Sequence, residues 1–395
     1  MKKWYVLSAI ALALASLLFI TACPDESGDG GDNPPGGGGN GPGTNPDPGG
    51  GNGPGPGTNP GMVWTAVPKS QISNIADFSV RALAWGSGKF VAGGEYGRLA
   101  YSPDGKSWTN VTDSTFASEM VLGIAWGNGK FVAVGNSAKI AYSSDGIIWT
   151  AVADESNAFI GTYGGKSGVS AIVYGNDKFV AVGGGTGNGG SGRIAYSSDG
   201  IIWTAVSNST FGTTGISRLA YGDGRFVAAA SSDNMAVSSD GITWTAVTQS
   251  IFLYPSPSLN AIAYGSGKFI AVGYNGTIAY STNGETWTVV SDNPFYYPYK
   301  MGDPGYDLWV QATSDLRAIV YGGGKFVAVD YGGKTAVSPD GVTWTIKADR
   351  VFAGNYTAGT QEAAVNNAIR VIAYDGGKFI VMPLDVFGVA YWDGN

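Results

Sequence analysis

The sequence predicts an all-β fold: a seven-bladed β-propeller with four antiparallel strands in each blade, closed by an N-terminal strand. One pattern recurs about every 48 residues between positions 63 and 395, a length typical of propeller blades. Each copy holds a basic residue followed by Phe, at Lys89-Phe90, Lys130-Phe131, Lys178-Phe179, Arg225-Phe226, Lys268-Phe269, Lys325-Phe326 and Lys378-Phe379. A Trp-Thr step also occurs seven times, at Trp64, Trp108, Trp149, Trp203, Trp244, Trp287 and Trp344.

The copy at 122–152 shows how a blade is expected to form. Short apolar runs at 122–126, 130–134, 139–143 and 147–152 are separated by turn residues, which indicates four strands joined as a meander. We interpret Asp145-Gly146 as a two-residue hairpin loop, because both residues tolerate positive φ. This loop would place Tyr142 opposite Trp149, and the same spacing pairs a Tyr or Val with the Trp of other blades. Such aromatic residues are expected to pack between blades.

The two ends of the repeat region are predicted to share one blade. The last copy has only three predicted strands, at 369–374, 378–382 and 386–392, while 63–67 is an isolated strand. A blade with a missing strand would leave an unpaired sheet edge. We therefore expect 63–67 to pair with 389–392, with Trp64 opposite Tyr391.

Residues 1–22 have the features of an export signal. Two lysines precede an apolar run at 6–20, and the run ends in Ile-Thr-Ala followed by Cys23. These residues resemble the lipobox of bacterial lipoproteins, which implies cleavage before Cys23 and a lipid on that residue. The alternatives are an ordinary signal peptide and an N-terminal membrane helix, for which the apolar run is short.

Residues 23–62 are predicted to connect the lipidated cysteine to a propeller domain at 63–395. After Cys23 this segment is mostly Gly, Pro, Asn and Asp, and it has almost nothing to bury. A flexible linker of this length would span ~35 Å on average. We expect a protein of the bacterial cell envelope, on its periplasmic face or cell surface, that touches the membrane only through its lipid.

Composition excludes several classes of function. The chain carries a formal net charge of −7, which argues against nucleic-acid binding. It contains no histidine, so a His-dependent serine or cysteine triad and a His-ligated zinc site are excluded. Cys23 is the sole cysteine, so no internal disulfide can form. We expect no metal, no cofactor and a monomer.

The six internal Ser-x-Asp/Asn-Gly-x-x-Trp stretches resemble the Asp-box (BNR) repeat of sialidase-type propellers. They lie at 102–108, 143–149, 197–203, 238–244, 281–287 and 338–344. The usual motif has one more residue between Asp and Gly, so these are shortened variants. The resemblance covers 63–395 and implies a fold rather than a reaction, because the box is a structural turn in that family.

Candidate binding residues are expected at the end of the ring opposite these turns, where the connections vary in length. The connection at 290–315 is rich in aromatic and acidic residues, and Trp309, Tyr296 and Tyr306 are its candidates for a sugar or peptide ligand. The alternative is that this segment packs on its own aromatic side chains.

Four arginines begin predicted innermost strands, at Arg81, Arg218, Arg317 and Arg370. Blades 6, 7 and 1 are neighbours in a ring, so we expect Arg317, Arg370 and Arg81 to converge near the axis, where they could bind an anionic group. The alternative is pairing with carboxylates of nearby loops. The resemblance to sialidases, which bind a carboxylate through three arginines, suggests an enzyme. However, no matching tyrosine nucleophile with carboxylates is evident.

We therefore predict a non-catalytic binding or scaffold propeller whose ligand is a glycan, a peptide or an envelope protein. The alternative is a carboxylate-dependent glycosidase of sialidase-like fold. A pair of carboxylates ~5–9.5 Å apart at the mouth of the axis would favour the glycosidase.

Overall fold

The computed structural model describes residues 63–68, 72, 79–153, 158–159, 167–184, 192–230, 234–248, 259–295, 315–348, 351, 369–375, 377–383 and 388–393. These residues form seven four-stranded antiparallel sheets, each of which is one blade. The predicted seven-bladed, all-β fold is confirmed. Within the described residues, no helix is both long enough and apolar enough to cross a membrane.

Each blade has an innermost strand next to the ring axis, followed outwards by a second, a third and an outer strand. In blades 1 to 7, the innermost strands are β2 (Val80–Gly86), β6 (Val121–Gly127), β10 (Val169–Gly175), β14 (Ile216–Gly222), β18 (Leu259–Gly265), β22 (Leu316–Gly322) and β26 (Ile369–Tyr374). The second strands are β3 (Lys89–Gly94), β7 (Lys130–Gly135), β11 (Lys178–Gly183), β15 (Arg225–Ala230), β19 (Lys268–Gly273), β23 (Lys325–Asp330) and β27 (Phe379–Pro383).

The third and outer strands complete each sheet. The third strands are β4 (Leu99–Ser102), β8 (Ile140–Ser143), β12 (Arg193–Ser197), β16 (Met235–Ser238), β20 (Ile278–Ser281), β24 (Thr335–Ser338) and β28 (Ala390–Trp392). The outer strands are β5 (Thr109–Asn110), β9 (Thr150–Ala151), β13 (Thr204–Ala205), β17 (Thr245–Val247), β21 (Thr288–Val289), β25 (Thr345–Ala348) and β1 (Thr65–Ala66). Among the described residues, single 3-10 turns follow the second strand in three blades, at Glu95–Gly97, Asn136–Ala138 and Tyr274–Gly276.

The hydrophobic core lies mainly between adjacent blades. In one core cluster, Ile270 and Val272 of blade 5 pack with Leu316 and Phe326 of blade 6. The Phe of each Lys/Arg-Phe step is fully buried, and it packs against the aromatic residue near the end of the innermost strand with ring centroids 4.5–4.8 Å apart. These aromatic pairs lie within one blade, where they add to area burial. The same Phe also contacts the preceding blade, as Phe131 does with Val91 and Phe326 with Ile270.

The predicted two-residue hairpin at Asp145-Gly146 is wrong by one residue. Tyr142 pairs with Thr150 and not with Trp149. Ser143 Oγ accepts hydrogen bonds from the N–H groups of Asp145 and Gly146, and Asp145 Oδ1 accepts those of the next two residues. These side-chain acceptors hold a longer turn, as short polar residues often do. Trp149 belongs to this turn, because its indole N–H donates to the Gly146 carbonyl.

The same turn occurs in blades 1 to 6, and we call the end of the ring that carries these turns the turn end. Blade 5 has Asn283 in place of Asp, and its Oδ1 accepts the same two N–H groups at 2.9 Å. The lysines of the Lys-Phe steps link neighbouring blades at this end. Lys89 Nζ donates to the Asp145 carbonyl at 2.8 Å, and Lys130 Nζ donates to the Asp199 carbonyl at 3.0 Å.

The predicted closure by the N-terminal strand is confirmed, with a shift of one residue. Outer strand β1 pairs with β28, so that Thr65, rather than Trp64, lies opposite Tyr391. The Val67 N–H donates to the Val389 carbonyl at 2.7 Å. Trp64 packs instead against Trp392, with ring centroids 6.4 Å apart. Blade 7 is therefore assembled from both ends of the described chain.

Candidate ligand site at the axial cavity

The innermost strands of all seven blades surround a cavity of about 490 Å³ on the ring axis. Each of these strands carries a β-bulge at its second residue, so that residue is left out of the regular pairing. The bulged residues are Arg81, Leu122, Ser170, Ser217, Asn260, Arg317 and Arg370, and all of them line the cavity. Bulges commonly re-aim side chains at functional sites.

Four arginines converge on this cavity, as the sequence predicts for three of them. Arg81, Arg317 and Arg370 occupy the bulge positions of blades 1, 6 and 7, and Arg218 follows the bulge of blade 4. Of the described residues that line the cavity, none is acidic. The lining therefore has an excess of positive charge in a recess of low dielectric, where an anion would be attracted strongly.

Two of the arginines also pair with carboxylates of nearby loops, which is the alternative to anion binding that the sequence leaves open. Arg81 Nη2 lies 2.5 Å from Glu95 Oε1, and Arg317 Nη2 lies 3.4 Å from Asp315 Oδ2. These carboxylates do not line the cavity, so they hold the guanidinium groups from the side. The Nε atoms of Arg81 and Arg317 are buried and have no hydrogen-bond partner among the described residues.

Arg218 is held by backbone carbonyl groups. Its Nη1 donates to the Ser217 carbonyl at 2.9 Å, and its Nε donates to the Asn260 carbonyl. Burial and the charge of Arg317 lower the pKa of Arg218 to about 10. The guanidinium remains protonated at neutral pH, and an anion between Arg218 and Arg317 would relieve the repulsion between these like charges.

Two carboxyl groups of blade 6 have strongly raised pKa values. Burial raises the pKa of Asp315 to about 6, although the Asn275 N–H donates to its Oδ1 at 3.0 Å. Burial likewise raises the pKa of Asp330 to about 7, although the Lys334 N–H donates to its Oδ1 at 2.7 Å. Neither residue lines the axial cavity. Among the described residues, the lining of the axial cavity therefore contains no carboxylate pair of the kind that a glycosidase would need.

The raised pKa of Asp330 predicts that the stability of the fold decreases as the pH rises towards neutrality. A carboxyl whose pKa is higher in the folded state than in the unfolded state destabilises the fold as pH rises from about 4 to about 7. Asp330→Asn keeps an oxygen for the Lys334 N–H and removes this cost. We expect the melting temperature of the variant to exceed that of the parent by a margin that grows over this range and is constant above it.

Asp240→Asn is the matched control for this prediction. Backbone hydrogen bonds from Thr243 and Ile242 outweigh burial and lower the pKa of Asp240, so its contribution has the opposite sign and is lost only as pH falls below about 4. Thermal melts of both variants from pH 4 to pH 8 distinguish the two cases. An Asp330→Asn profile parallel to that of the parent would contradict the prediction.

The other predicted site residues lie outside the described residues. These are Trp309, Tyr296, Tyr306 and Cys23, together with the predicted signal and linker segments at 1–22 and 23–62. The start of the 290–315 segment is described, and Phe295 is buried between blades 5 and 6. A second cavity of about 480 Å³ lies next to it, lined in part by Asp292 and Asn293. This end of the segment packs on the ring rather than on other aromatic residues of the segment, which lie outside the described residues.

Sequence reasoning did not single out Glu95 or Asp330. Glu95 stands in a 3-10 turn whose length matches the turns of blades 2 and 5, so only its charge distinguishes it. Asp330 ends a second strand where blades 1, 2, 3 and 5 have Gly. A comparison of equivalent positions across the repeats would have identified Asp330 as the charged residue at a position that holds Gly, Ala or Pro in the other blades. Among the described residues, no group of three acidic side chains is placed to hold a metal ion.

The fold and the axial site define a β-propeller, and comparisons with known proteins agree at the level of fold. Neither a protein family nor a curated protein sequence matches the chain. The solved structures that resemble it include YCF48 bound to a D1 peptide, with a TM-score of 0.56, 13% identity, and coverage of 83% of this chain and 94% of that one.

Two further structures show how widely this fold is shared. A catalytically inactive virginiamycin B lyase from Staphylococcus aureus, with quinupristin, has a TM-score of 0.59 and 13% identity, and the match covers 84% of this chain and 98% of that one. The WD40 propeller domain of Doa1 has a TM-score of 0.51 and 11% identity, with coverage of 80% and 93%. The structural similarity establishes the propeller fold. At identities this low it does not indicate the function, which has to be argued from the site.

Proposed function

We propose that this protein is a non-catalytic binding or scaffold propeller that holds an anionic group of a peptide or protein ligand in its axial cavity. The observation that carries the proposal is the convergence of Arg81, Arg218, Arg317 and Arg370 on a cavity whose described lining has no acidic residue. Arginine donates charge-assisted, often bidentate hydrogen bonds to carboxylates. A structurally similar propeller has a bound peptide, which favours a peptide over a glycan as the ligand class.

The axial site can be tested with acidic peptides. A fluorescently labelled library rich in Asp and Glu, and the same library with Asn and Gln instead, serve as probes in anisotropy titrations of the full chain. We expect only the acidic library to bind. Arg317→Gln with Arg370→Gln should weaken binding roughly tenfold or more, because hydrogen bonds to charged groups are lost.

Arg225→Gln is the matched control, because Arg225 pairs with Glu285 at the turn end, away from the cavity. It removes one positive charge, where the double variant removes two, and should leave binding unchanged. Trp309→Ala tests the aromatic segment in the same assay, and a glycan array tests the sugar ligands. Equal binding by both libraries, or by the arginine variant and its control, would refute the axial anion site.

The glycosidase alternative has one observation in its favour. The raised pKa values of Asp315 and Asp330 suit a general acid at neutral pH. Both side chains lie outside the cavity lining, however. Turnover of aryl glycosides that is abolished by Asp315→Asn or Asp330→Asn would support the enzyme. We expect no turnover.

We further propose that the propeller is held in a bacterial cell envelope by a lipid on Cys23 and a flexible linker. The proposal rests on the lipobox-like sequence before Cys23 and the Gly- and Pro-rich composition of 24–62. Cys23→Ser is expected to move the protein from the membrane fraction to the soluble fraction, because no acyl chain would be attached. Fractionation of cells followed by immunoblotting measures this, and unchanged membrane retention would contradict lipidation.

A further inference from the structure

The turn end carries exposed aliphatic side chains at one repeated position. The residue just before the Trp of each Trp-Thr step is Val63, Ile148 or Ile202 in blades 7, 2 and 3, with 73%, 75% and 73% of its surface exposed. In blades 1, 4, 5 and 6 the same position holds a polar residue, namely Ser107, Thr243, Thr286 and Thr343. Ile147 and Ile242 add further exposed aliphatic surface to the turns of blades 2 and 4.

The turn itself does not require an aliphatic residue at this position. The backbone N–H of Ile148 donates to Asp145 Oδ1 at 2.9 Å, and that of Thr243 donates to Asp240 Oδ1 at 2.7 Å. The side chain takes no part in either bond. Threonine is β-branched as isoleucine is, and it satisfies the same turn in three blades. The turn therefore does not require isoleucine, and what distinguishes these residues is that three large exposed aliphatic side chains share one position at the turn end.

The chain that precedes the propeller joins it at this same end. Strand β1 runs antiparallel to β28, and Trp64 packs on Trp392, so Val63 lies beyond the turn-end edge of blade 7. Lys106, in the turn of blade 1, places its Nζ 4.0 Å from the ring centroid of Tyr391, which confirms that β28 ends at the turn end. The 62 residues before Val63 include the apolar run at 6–20 and Cys23.

We propose that the turn end of the propeller rests on a lipid bilayer, with Val63, Ile148 and Ile202 inserted at the boundary between headgroups and acyl chains. This inference rests on the membrane tether of the proposed function, and it departs from the expectation that the lipid is the sole contact with the membrane. A lipid surface fits better than a protein partner, because the aliphatic residues stand on separate turns of different blades, and shallow insertion of such side chains requires no shared groove. The variable end and the mouth of the axial cavity then face away from the membrane.

Depth-dependent fluorescence quenching on the full chain tests this orientation. An environment-sensitive dye is attached at Ser144→Cys in the turn of blade 2, or at Ser118→Cys, an exposed residue at the variable end. The labelled protein is bound to phosphatidylcholine vesicles that carry doxyl-labelled lipid. We expect strong quenching and a blue shift at position 144, and neither at position 118.

The substitution Ile148→Thr with Ile202→Thr installs the residue that other blades use in the same turn. We expect it to lower quenching at position 144 to the level seen at position 118, with no change in melting temperature. The matched control is Val289→Thr with Ile346→Thr, which removes the same number of exposed aliphatic residues from outer strands and should keep the quenching.

Each outcome has a distinct meaning. Vesicle binding with equal quenching at positions 144 and 118 would overturn the orientation while leaving the tether intact. Failure of the full chain to bind vesicles would overturn both. Quenching that persists in the Ile148→Thr, Ile202→Thr variant would show that the isoleucines do not insert, and concentration-dependent dimers lost in that variant would assign this face to a second copy instead.

Discussion

Gly222→Ala is expected to lower the melting temperature by roughly 1–4 °C, because an overpacked interface costs about 1–3 kcal/mol and each kcal/mol shifts the melting temperature of so large a domain by only about 1–2 °C. A Cβ at this position would lie 1.9 Å from Cγ of Tyr264 in the next blade. Gly222 has no positive φ, so an alanine would not strain the backbone and the effect would be steric. Tyr264 cannot move away freely, since its ring packs on Phe269 with centroids 4.8 Å apart.

A double-mutant cycle isolates this contact. The added Cβ would also lie 2.5 Å from Cβ of Tyr264, so the background must lack that atom as well. In a Tyr264→Gly background the space is open, so adding Gly222→Ala should cost much less than it does in the parent. Gly168→Ala is the matched control, because it has no positive φ and the nearest atom to its new Cβ would be 3.4 Å away. Thermal unfolding of the variants provides the measurement, and additive effects of the two substitutions would contradict the steric explanation.

Deletion of 63–67 is expected to have a comparable or larger effect on stability and to cause self-association. The deletion removes β1 from blade 7 and leaves β28 as an unpaired edge, which other chains can pair with. Trp392 would also lose its contact with Trp64. Thermal melts and light scattering after size exclusion would show a lower melting temperature and a larger mass.

Deletion of 24–60 is the control for this prediction, and it should leave both measurements nearly unchanged. A synthetic peptide spanning 60–68 should restore the melting temperature of the shortened ring, because an added strand can occupy an open sheet edge. A shortened protein that melts like the parent and stays monomeric would show that β1 does not contribute to closure.

The number of blades, the order of their strands and the closure could all be predicted from the sequence. The reason is that the Lys/Arg-Phe and Trp-Thr steps recur with the blades, and a ring disfavours an open edge. The register of the outer strands was predicted wrongly by one residue. Backbone turn preferences suggested a two-residue loop, whereas the Ser143 and Asp145 side chains accept four N–H groups and stabilise a longer one.

The candidate site could be predicted only in outline. The convergence of Arg81, Arg317 and Arg370 follows from their equivalent positions in neighbouring blades. The β-bulge that directs them into the cavity could not be predicted from the sequence, because no residue type recurs at the bulged position, which holds Arg, Leu, Ser or Asn in different blades. The carboxylate that pairs with each arginine depends on the three-dimensional course of the loops. The sequence could therefore predict pairing with loop carboxylates, but it could not identify Glu95 and Asp315 as the partners.

The closing strand has a mechanical consequence. Because β1 directly follows the predicted linker, any pulling force between a membrane anchor and a bound ligand would enter the propeller through β1. Only Thr65 and Ala66 pair with β28, and Val67 adds one further hydrogen bond. A force between an anchor at the turn end and a ligand at the opposite end would draw β1 along its length past β28, so that these few bonds would carry the whole load. The ring would then open first at blade 7, at a force well below that needed to unfold an interior blade.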